Sequence, residues 1–259
     1  MQTIIKKIFI YKKFLKRFYE KIINLLTLHI PRAATFNLWP TKDYEIWLLL
    51  QFILFIEKPK KLLELGSGRS THYLAEYNQK FGGEFFSIEE NFMFVFKNWL
   101  GLKLSYLSNF RLFYIPIKNN WFSLRKLSKI NFIKNADFVF IDAPGGATNR
   151  IDKGSRCSAN AISYMLENFG TTKTIVIDDL QCEEALIFCQ SYLKLRNDLY
   201  FLLLKYRQDR IILFCIKNIN KDKYLEFLKL SQISNSLLYS HSDFDKVDNY
   251  IISNGLLIE

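Results

Sequence analysis

Short apolar segments of strand length alternate with longer segments of helical periodicity over most of this chain. Strands are predicted at 61–65, 84–88, 110–117, 137–142 and 174–179. Helices are predicted at 42–57, 70–79, 91–101, 158–168 and 181–194. Strands that alternate with helices are typical of an α/β fold with a doubly wound, mainly parallel sheet.

The last two apolar strands predict a hairpin. They cover 200–206 and 210–216 and are separated by a short polar turn that contains Gln208 and Asp209. We therefore expect a seven-stranded sheet that is closed by an antiparallel hairpin, in one domain spanning 59–218.

Three segments flank this domain in the prediction. Residues 31–58 form a linker and a helix that packs on the core, and residues 219–259 form a tail that is partly helical. Residues 1–30 form a basic amphipathic helix, with large apolar residues at spacings of three and four.

The charge is concentrated in that first segment. The chain carries a formal net charge of +11, and residues 1–30 supply +6 of it, from six lysines and Arg17 against Glu20. The interleaved aliphatic and aromatic residues favour an anionic membrane surface as the partner, with nucleic acid less favoured. In the alternative interpretation, the apolar side packs on the domain and the lysines are solvated. No apolar stretch is long enough to span a bilayer, so we expect a cytoplasmic protein, at the inner face of a membrane if the helix binds there.

The composition predicts a well-packed interior, since 49% of the 259 residues are hydrophobic. The four cysteines show no C-x-x-C spacing and no neighbouring histidine cluster. Reduced thiols are therefore expected, without a zinc site or a disulfide framework.

A glycine turn follows the first predicted strand. Gly66 allows the chain to turn sharply, and Gly68 allows a ligand to approach the backbone without a Cβ in the way. The turn leads into the N-terminus of a helix, where backbone N–H groups point at a bound ligand. Glu89 ends the second strand about 20 residues on, where doubly wound folds place the acid that binds ribose hydroxyls.

These segments, Glu64-Leu-Gly-Ser-Gly68 and Ser87-Ile-Glu89, resemble motifs one and two of the class I S-adenosylmethionine-dependent methyltransferases. The order of strands resembles the seven-stranded fold of that family over 60–217. Thr71 stands where the dinucleotide fingerprint has its third glycine, which disfavours a dehydrogenase. The resemblance implies that S-adenosylmethionine is bound by Glu64, Gly66, Ser67, Gly68, Ser70, Glu89 and Asp142.

Acidic residues also end the fourth and fifth strands. The pattern Phe-Ile-Asp142 with Ile-Asp178-Asp179 resembles the metal-dependent O-methyltransferases of the catechol and macrolide-sugar type. That resemblance implies Mg²⁺ held by Asp142, Asp178 and Asp179. The chain departs from the catechol type because no lysine comes soon after Asp142, where the sequence reads Asp142-Ala-Pro-Gly-Gly146. Without a metal, Asp142 or Asp178 is the candidate base. His72 is expected to pack or to face solvent.

The loop that follows Asp142 is basic. Arg150 and Arg156 are candidates to bind an anionic group of the acceptor, such as an acidic sugar or a nucleotide sugar, and the alternative is a solvated loop. The wider pattern resembles methyltransferases of glycan and polysaccharide biosynthesis. We therefore expect O-methylation of a glycan, sugar or other small hydroxyl acceptor. The alternative is an RNA-directed or non-catalytic protein of the same fold, although Asp142-Ala-Pro-Gly145 does not match the N-P-P-Y-like tetrad of base N-methyltransferases.

Overall fold

The structure is a computed structural model that describes residues 44–105, 107–144, 156, 158–207, 210–230 and 237–240. The prediction of a basic helix in 1–30 lies outside these residues, and so does Arg150. Within the described part of the chain, none of the helices is both long and apolar enough to cross a membrane.

Helices and strands alternate as predicted. The helices are α1 Tyr44–Glu57, α2 Arg69–Phe81, α3 Phe92–Leu104, α4 Leu124–Leu127, α5 Ala159–Asn168, α6 Cys182–Ser191 and α7 Lys221–Leu230. The strands are β1 Lys61–Leu65, β2 Glu84–Glu89, β3 Phe110–Tyr114, β4 Ile117–Lys118, β5 Trp121–Phe122, β6 Phe138–Ile141, β7 Thr174–Leu180, β8 Leu199–Arg207, β9 Arg210–Lys217 and β10 Leu237–Ser240. Short 3₁₀ turns occur at Ile133–Asn135, Leu193–Leu195 and Asn218–Asn220.

The main sheet confirms the predicted fold class. Its strand order is β10-β8-β9-β7-β6-β1-β2-β3. The strands β3, β2, β1, β6 and β7 are parallel to one another, whereas β9 is antiparallel to both β7 and β8. The antiparallel hairpin therefore closes a doubly wound parallel sheet.

Two details of the sheet differ from the prediction. The third strand was expected to continue to residue 117 but ends at Tyr114, and Ile117–Lys118 pairs with Trp121–Phe122 in a separate two-stranded sheet. Pro116 explains the break, because proline has no N–H for the ladder. In the described residues the main sheet has eight strands, since Leu237–Ser240 adds an antiparallel strand to β8.

Helices cover both faces of the sheet, and the alternation of side chains along β1 shows how. Leu63 and Leu65 pack in the cluster that includes α5 and α6. Leu62 faces the other way, into the cluster with α1, α2 and α7. Since successive side chains of a strand point to opposite faces, Glu64 shares the α2 side with Leu62. The described cysteines, Cys182, Cys189 and Cys215, are free thiols.

The strand register brings the candidate residues to one edge. Leu65 of β1 pairs with Ile88 of β2 and with Ile141 of β6. Ile141 in turn pairs with Ile177 of β7. The residues that follow these four therefore lie side by side at the carboxyl edge of the sheet, where ligands bind in open α/β folds.

Candidate functional site

The turn after β1 requires glycine at its first position. Gly66 has a φ of +99°, and a Cβ built on it would lie 2.6 Å from Cβ and 2.7 Å from N of Ala143. The Gly66 N–H donates to the carbonyl oxygen of Ile88 at 2.7 Å, and the Asp142 N–H donates to that of Leu65 at 2.7 Å. Gly66 thus lets the end of β1 pack directly on the loop after β6.

The carboxylate of Glu89 lies against this turn. Oε2 accepts from the backbone N–H of Ser67 at 2.7 Å and from its hydroxyl at 3.2 Å, and Oε1 accepts from the N–H of Asn91 at 2.8 Å. The Ser67 hydroxyl oxygen accepts in turn from the Asn98 amide at 2.9 Å. The structure therefore brings together the two segments that carry the methyltransferase resemblance.

Glu89 keeps some capacity for a ligand. A carboxylate offers about four acceptor positions, and the bonds above use three of them. Burial, followed by the charge of Glu90, raises the pKa of Glu89 to about 8. A group that donates hydrogen bonds to this carboxylate would stabilise its charged form.

One expectation about the turn is corrected for three of its residues. Its backbone N–H groups were expected to point at a ligand, but those of Gly66, Ser67 and Gly68 all have protein acceptors, the last being Thr71 Oγ1 at 2.7 Å. What Gly68 offers is space, because no atom lies within 4 Å of a Cβ built there. The open approach predicted for Gly68 is present, whereas the N–H groups of these three turn residues are taken up by protein acceptors.

Glu64, a predicted cofactor residue, is fully buried on the α2 side of β1. Its carboxylate accepts from the hydroxyls of Ser70 at 2.6 Å, Thr71 at 2.7 Å and Ser87 at 2.6 Å. Burial raises the pKa of Glu64 to about 7, against the effect of the three hydroxyls. Glu64 and Ser70 therefore bind each other and fix the N-terminus of α2, rather than presenting polar atoms to the open edge.

Arg156 connects the ends of β6 and β7. Its side chain is 2% exposed, and its Nη2 lies 2.8 Å from Asp142 Oδ1. The guanidinium also donates to the carbonyl oxygens of Asp142 at 2.5 Å and Asp179 at 2.7 Å. Because both terminal nitrogens bind protein oxygens, the expected role of Arg156 as a clamp for an acceptor anion is corrected to a link between two strands.

The predicted Mg²⁺ site does not fit this arrangement. The described residues contain no group of three His, Cys, Asp or Glu side chains placed to hold a metal ion. A guanidinium occupies the position beside Asp142 that a cation would need. The pairing of β7 with β9 is irregular between Ile177 and Leu180. Within this irregular stretch Asp179 has a φ of +59°, and its backbone N–H donates to Asp178 Oδ1 at 2.7 Å.

Asp142 nevertheless stays at the open edge. Its side chain is 35% exposed. Loss of hydration at this half-buried position, followed by the nearby charges of Asp178, Asp179 and Glu64, raises the pKa of Asp142 above its ordinary value, although the Arg156 guanidinium lowers it. A carboxylate with a raised pKa is suited to accept a proton.

Several residues around Glu89 were not predicted. Asn91 donates to Glu89 through its backbone N–H, and the buried Asn98 side chain donates to Ser67. Nothing in the helical pattern of that segment distinguishes a buried asparagine such as Asn98 from a solvated one. His72 packs as expected. It is buried, and a Cβ built on Gly101 would lie 2.8 Å from its Cε1. Burial lowers the pKa of His72 to about 4, so it is neutral at physiological pH.

No protein-family model matches this chain, and no curated protein matches it. Solved structures with a similar arrangement carry methyltransferase names or a bound cofactor. The cofactor-bound Rv0187 from MTB is 16% identical with a TM-score of 0.48, over 76% of this chain and 88% of that one. The N-terminal domain of human METTL16 in complex with SAH is 14% identical with a TM-score of 0.45, over 69% and 72%. A Staphylococcus aureus protein provisionally described as a caffeoyl-CoA O-methyltransferase is 15% identical with a TM-score of 0.44, over 80% and 99%. Because these identities and TM-scores are low, the likenesses assign no chemistry to this chain.

Proposed function

We propose that this protein is an S-adenosylmethionine-dependent methyltransferase that methylates a hydroxyl group of a sugar, glycan or other small acceptor. The observation that carries the proposal is the contact of Glu89 with Ser67, beside the open space over Gly68, at the carboxyl edge of a sheet closed by an antiparallel strand. A buried acid with a remaining acceptor position suits the ribose hydroxyls of the cofactor.

The residues have distinct tasks in this proposal. S-adenosylmethionine supplies a methyl group on a positively charged sulfur. Glu89 accepts hydrogen bonds from the ribose, and Gly68 lets the cofactor lie against the backbone. Glu64 and Gly66 act indirectly, because they hold the turn in the shape that leaves this space.

Methyl transfer to a hydroxyl also requires removal of its proton. Asp142 and Asp178 are the candidates, since both end strands at the same edge and neither is fully buried. Both carboxylates remain candidates for this role. No step of this route uses a metal ion.

Calorimetric titration with S-adenosylhomocysteine tests the proposal. The matched variants are Glu89→Gln and Glu84→Gln, since the two acids occupy opposite ends of β2 and Glu84 is exposed. We expect micromolar-range binding by the wild type and by Glu84→Gln, and binding weaker by about tenfold or more in Glu89→Gln, because a hydrogen bond to a charged group is lost. A folded wild-type protein that shows no binding would refute the proposal.

The acceptor is tested separately, with labelled S-adenosylmethionine and a panel of sugars, uronic acids and nucleotide sugars. We expect methyl transfer to a hydroxyl of one class. Transfer to RNA bases would instead establish the RNA-directed alternative.

We also propose that residues 1–30 bind an anionic membrane surface. The support is the sequence pattern of these residues, which lie outside the described part of the chain. Sedimentation with vesicles tests it: binding to anionic but not to neutral vesicles is expected, and it weakens with added salt. Full-length protein with Lys13, Lys16 and Arg17 replaced by Gln should bind the anionic vesicles less.

A further inference from the structure

A basic pocket is lined by residues that do not belong to the candidate site. It has a volume of about 550 Å³, and its walls include Lys118, Trp121, Leu124, Arg125, Lys126 and Lys129. We propose that this pocket binds a diphosphate group of a small acceptor, such as a sugar carried on a diphosphate. The inference rests on the proposed function, because it identifies the acceptor of that reaction by its chemistry.

The charge of the pocket is the first argument. Four of its lining side chains are cationic and none is acidic. Among the described residues, no ion pair joins any of these four cations to a carboxylate. Like charges gathered around one cavity repel each other, and a ligand with several negative charges relieves that repulsion. Arg125 adds a planar group that can bind phosphate through two hydrogen bonds at once.

The second argument is that the pocket wall is fixed before any ligand binds. Asn119 and Asn120 join β4 to β5 and have φ values of +55° and +60°, as in the two-residue turns that suit hairpins. The Asn160 amide donates to the carbonyl oxygen of Asn119 at 2.8 Å. Trp121, at the end of the turn, is fully buried. A preformed wall lowers the ordering cost of binding.

Location is the third argument. The hairpin follows β3, and α5, which carries Asn160, follows β6. Segments that follow parallel strands begin at the carboxyl edge, so the hairpin and the start of α5, which form one wall of the pocket, lie toward the edge that also holds Glu89 and Asp142. An acceptor held here by its diphosphate can extend its sugar toward that edge.

Size and the apolar wall narrow the ligand class. A cavity of about 550 Å³ has room for more than one phosphate group. Leu124 is 49% exposed and offers an apolar surface for a ring attached to the phosphates. Lys126 Nζ lies 5.4 Å from the centroid of the Tyr114 ring. This contact keeps the Lys126 charge near the carboxyl end of β3.

The experiment titrates full-length protein with inorganic pyrophosphate, at fixed ionic strength, by calorimetry. The test variant replaces Arg125 and Lys129 by Gln. The control is Lys134→Gln, which removes an exposed charge from the segment after α4 but not from the pocket. We expect wild-type and control affinities within about twofold of each other, and an affinity lower by about tenfold or more in the double variant.

Two further arms separate the inference from the proposed function. S-adenosylhomocysteine binding by the double variant should equal that of the wild type. If the wild type binds no S-adenosylhomocysteine, the proposed function fails. The pyrophosphate titration then still decides whether the pocket binds a diphosphate. The inference is overturned if the double variant binds pyrophosphate as well as the wild type does, or if the wild type binds none. Tighter binding of single-stranded RNA than of pyrophosphate, lost in the double variant, would also overturn it in favour of a nucleic-acid site.

Discussion

Alanine substitutions of the two turn glycines should differ in their effects, one acting mainly on stability and the other mainly on ligand binding. Gly66 and Gly68 are two residues apart, yet their surroundings differ. The Cβ of an alanine at Gly66 would lie 2.6 Å from the Ala143 side chain, whereas one at Gly68 would meet nothing within 4 Å. Gly66→Ala should therefore damage the fold, and Gly68→Ala should damage the cofactor site.

The structure gives the magnitudes. At Gly66 the φ of +99° costs about 1–2 kcal/mol for a residue with a Cβ. The overlap with Ala143 adds about 1–3 kcal/mol, because the loop after β6 must move. The total of roughly 3 kcal/mol corresponds to a fall in Tm of about 10 °C in a chain of this size. Gly68 is the N-cap of α2, where alanine costs about 1 kcal/mol, or a few degrees.

The assays are thermal unfolding followed by circular dichroism and calorimetric titration with S-adenosylhomocysteine. Gly68→Ala should remain folded and bind S-adenosylhomocysteine at least about tenfold more weakly, since about 1.4 kcal/mol of lost contact is a factor of ten. Gly170→Ala is the control, because its Cβ would be 3.6 Å from the Leu166 carbonyl oxygen and outside the site. The reasoning is refuted if Gly68→Ala binds like the control, or if Gly66→Ala unfolds no earlier than Gly68→Ala.

Two other predictions concern buried charges. The folded-state pKa of Glu64, about 7, exceeds its ordinary value of 4.5, so the stability that Glu64 contributes is complete below pH 4.5 and is lost as the pH rises through 7. At about 1.4 kcal/mol per pKa unit, the stability lost over this pH range is about 3 kcal/mol. Glu64→Gln should abolish this pH dependence. Denaturant unfolding from pH 5 to 8 measures the free energy of unfolding of the wild type and of Glu64→Gln. If that free energy changes with pH in parallel in the two proteins, the prediction is contradicted. Arg156→Lys should lower the free energy of unfolding by about 1–3 kcal/mol, because a lysine cannot join Asp142 to the Asp179 carbonyl. An unchanged free energy of unfolding together with weakened acceptor binding would restore Arg156 as a ligand-binding residue.

The sequence predicted the order of elements well because each strand is a compact apolar run bounded by turns. It also placed Glu89 at the edge that holds the glycine turn, since both follow parallel strands. The end of the third strand was misjudged although Pro116 carried the signal, because the apolar pattern continues on both sides of that proline.

The roles of individual charged side chains were harder to predict. Alternation along β1 puts Glu64 on the side of α2, so its bonds to hydroxyls there follow from a pattern that the sequence does contain. Arg156 is different. Its acceptors include backbone carbonyl oxygens at the ends of two strands, and only the folded chain brings these oxygens together.

The central claim is that S-adenosylmethionine binds beside Gly68 and Glu89. Backbone amide resonances of the full-length protein, followed during titration with S-adenosylhomocysteine, test it most directly. We predict saturable shifts for Ser67, Gly68 and Asn91, with Glu84 and Asp137 at the opposite edge unchanged. Saturable shifts confined to the opposite edge, or none in a folded protein, would contradict the claim.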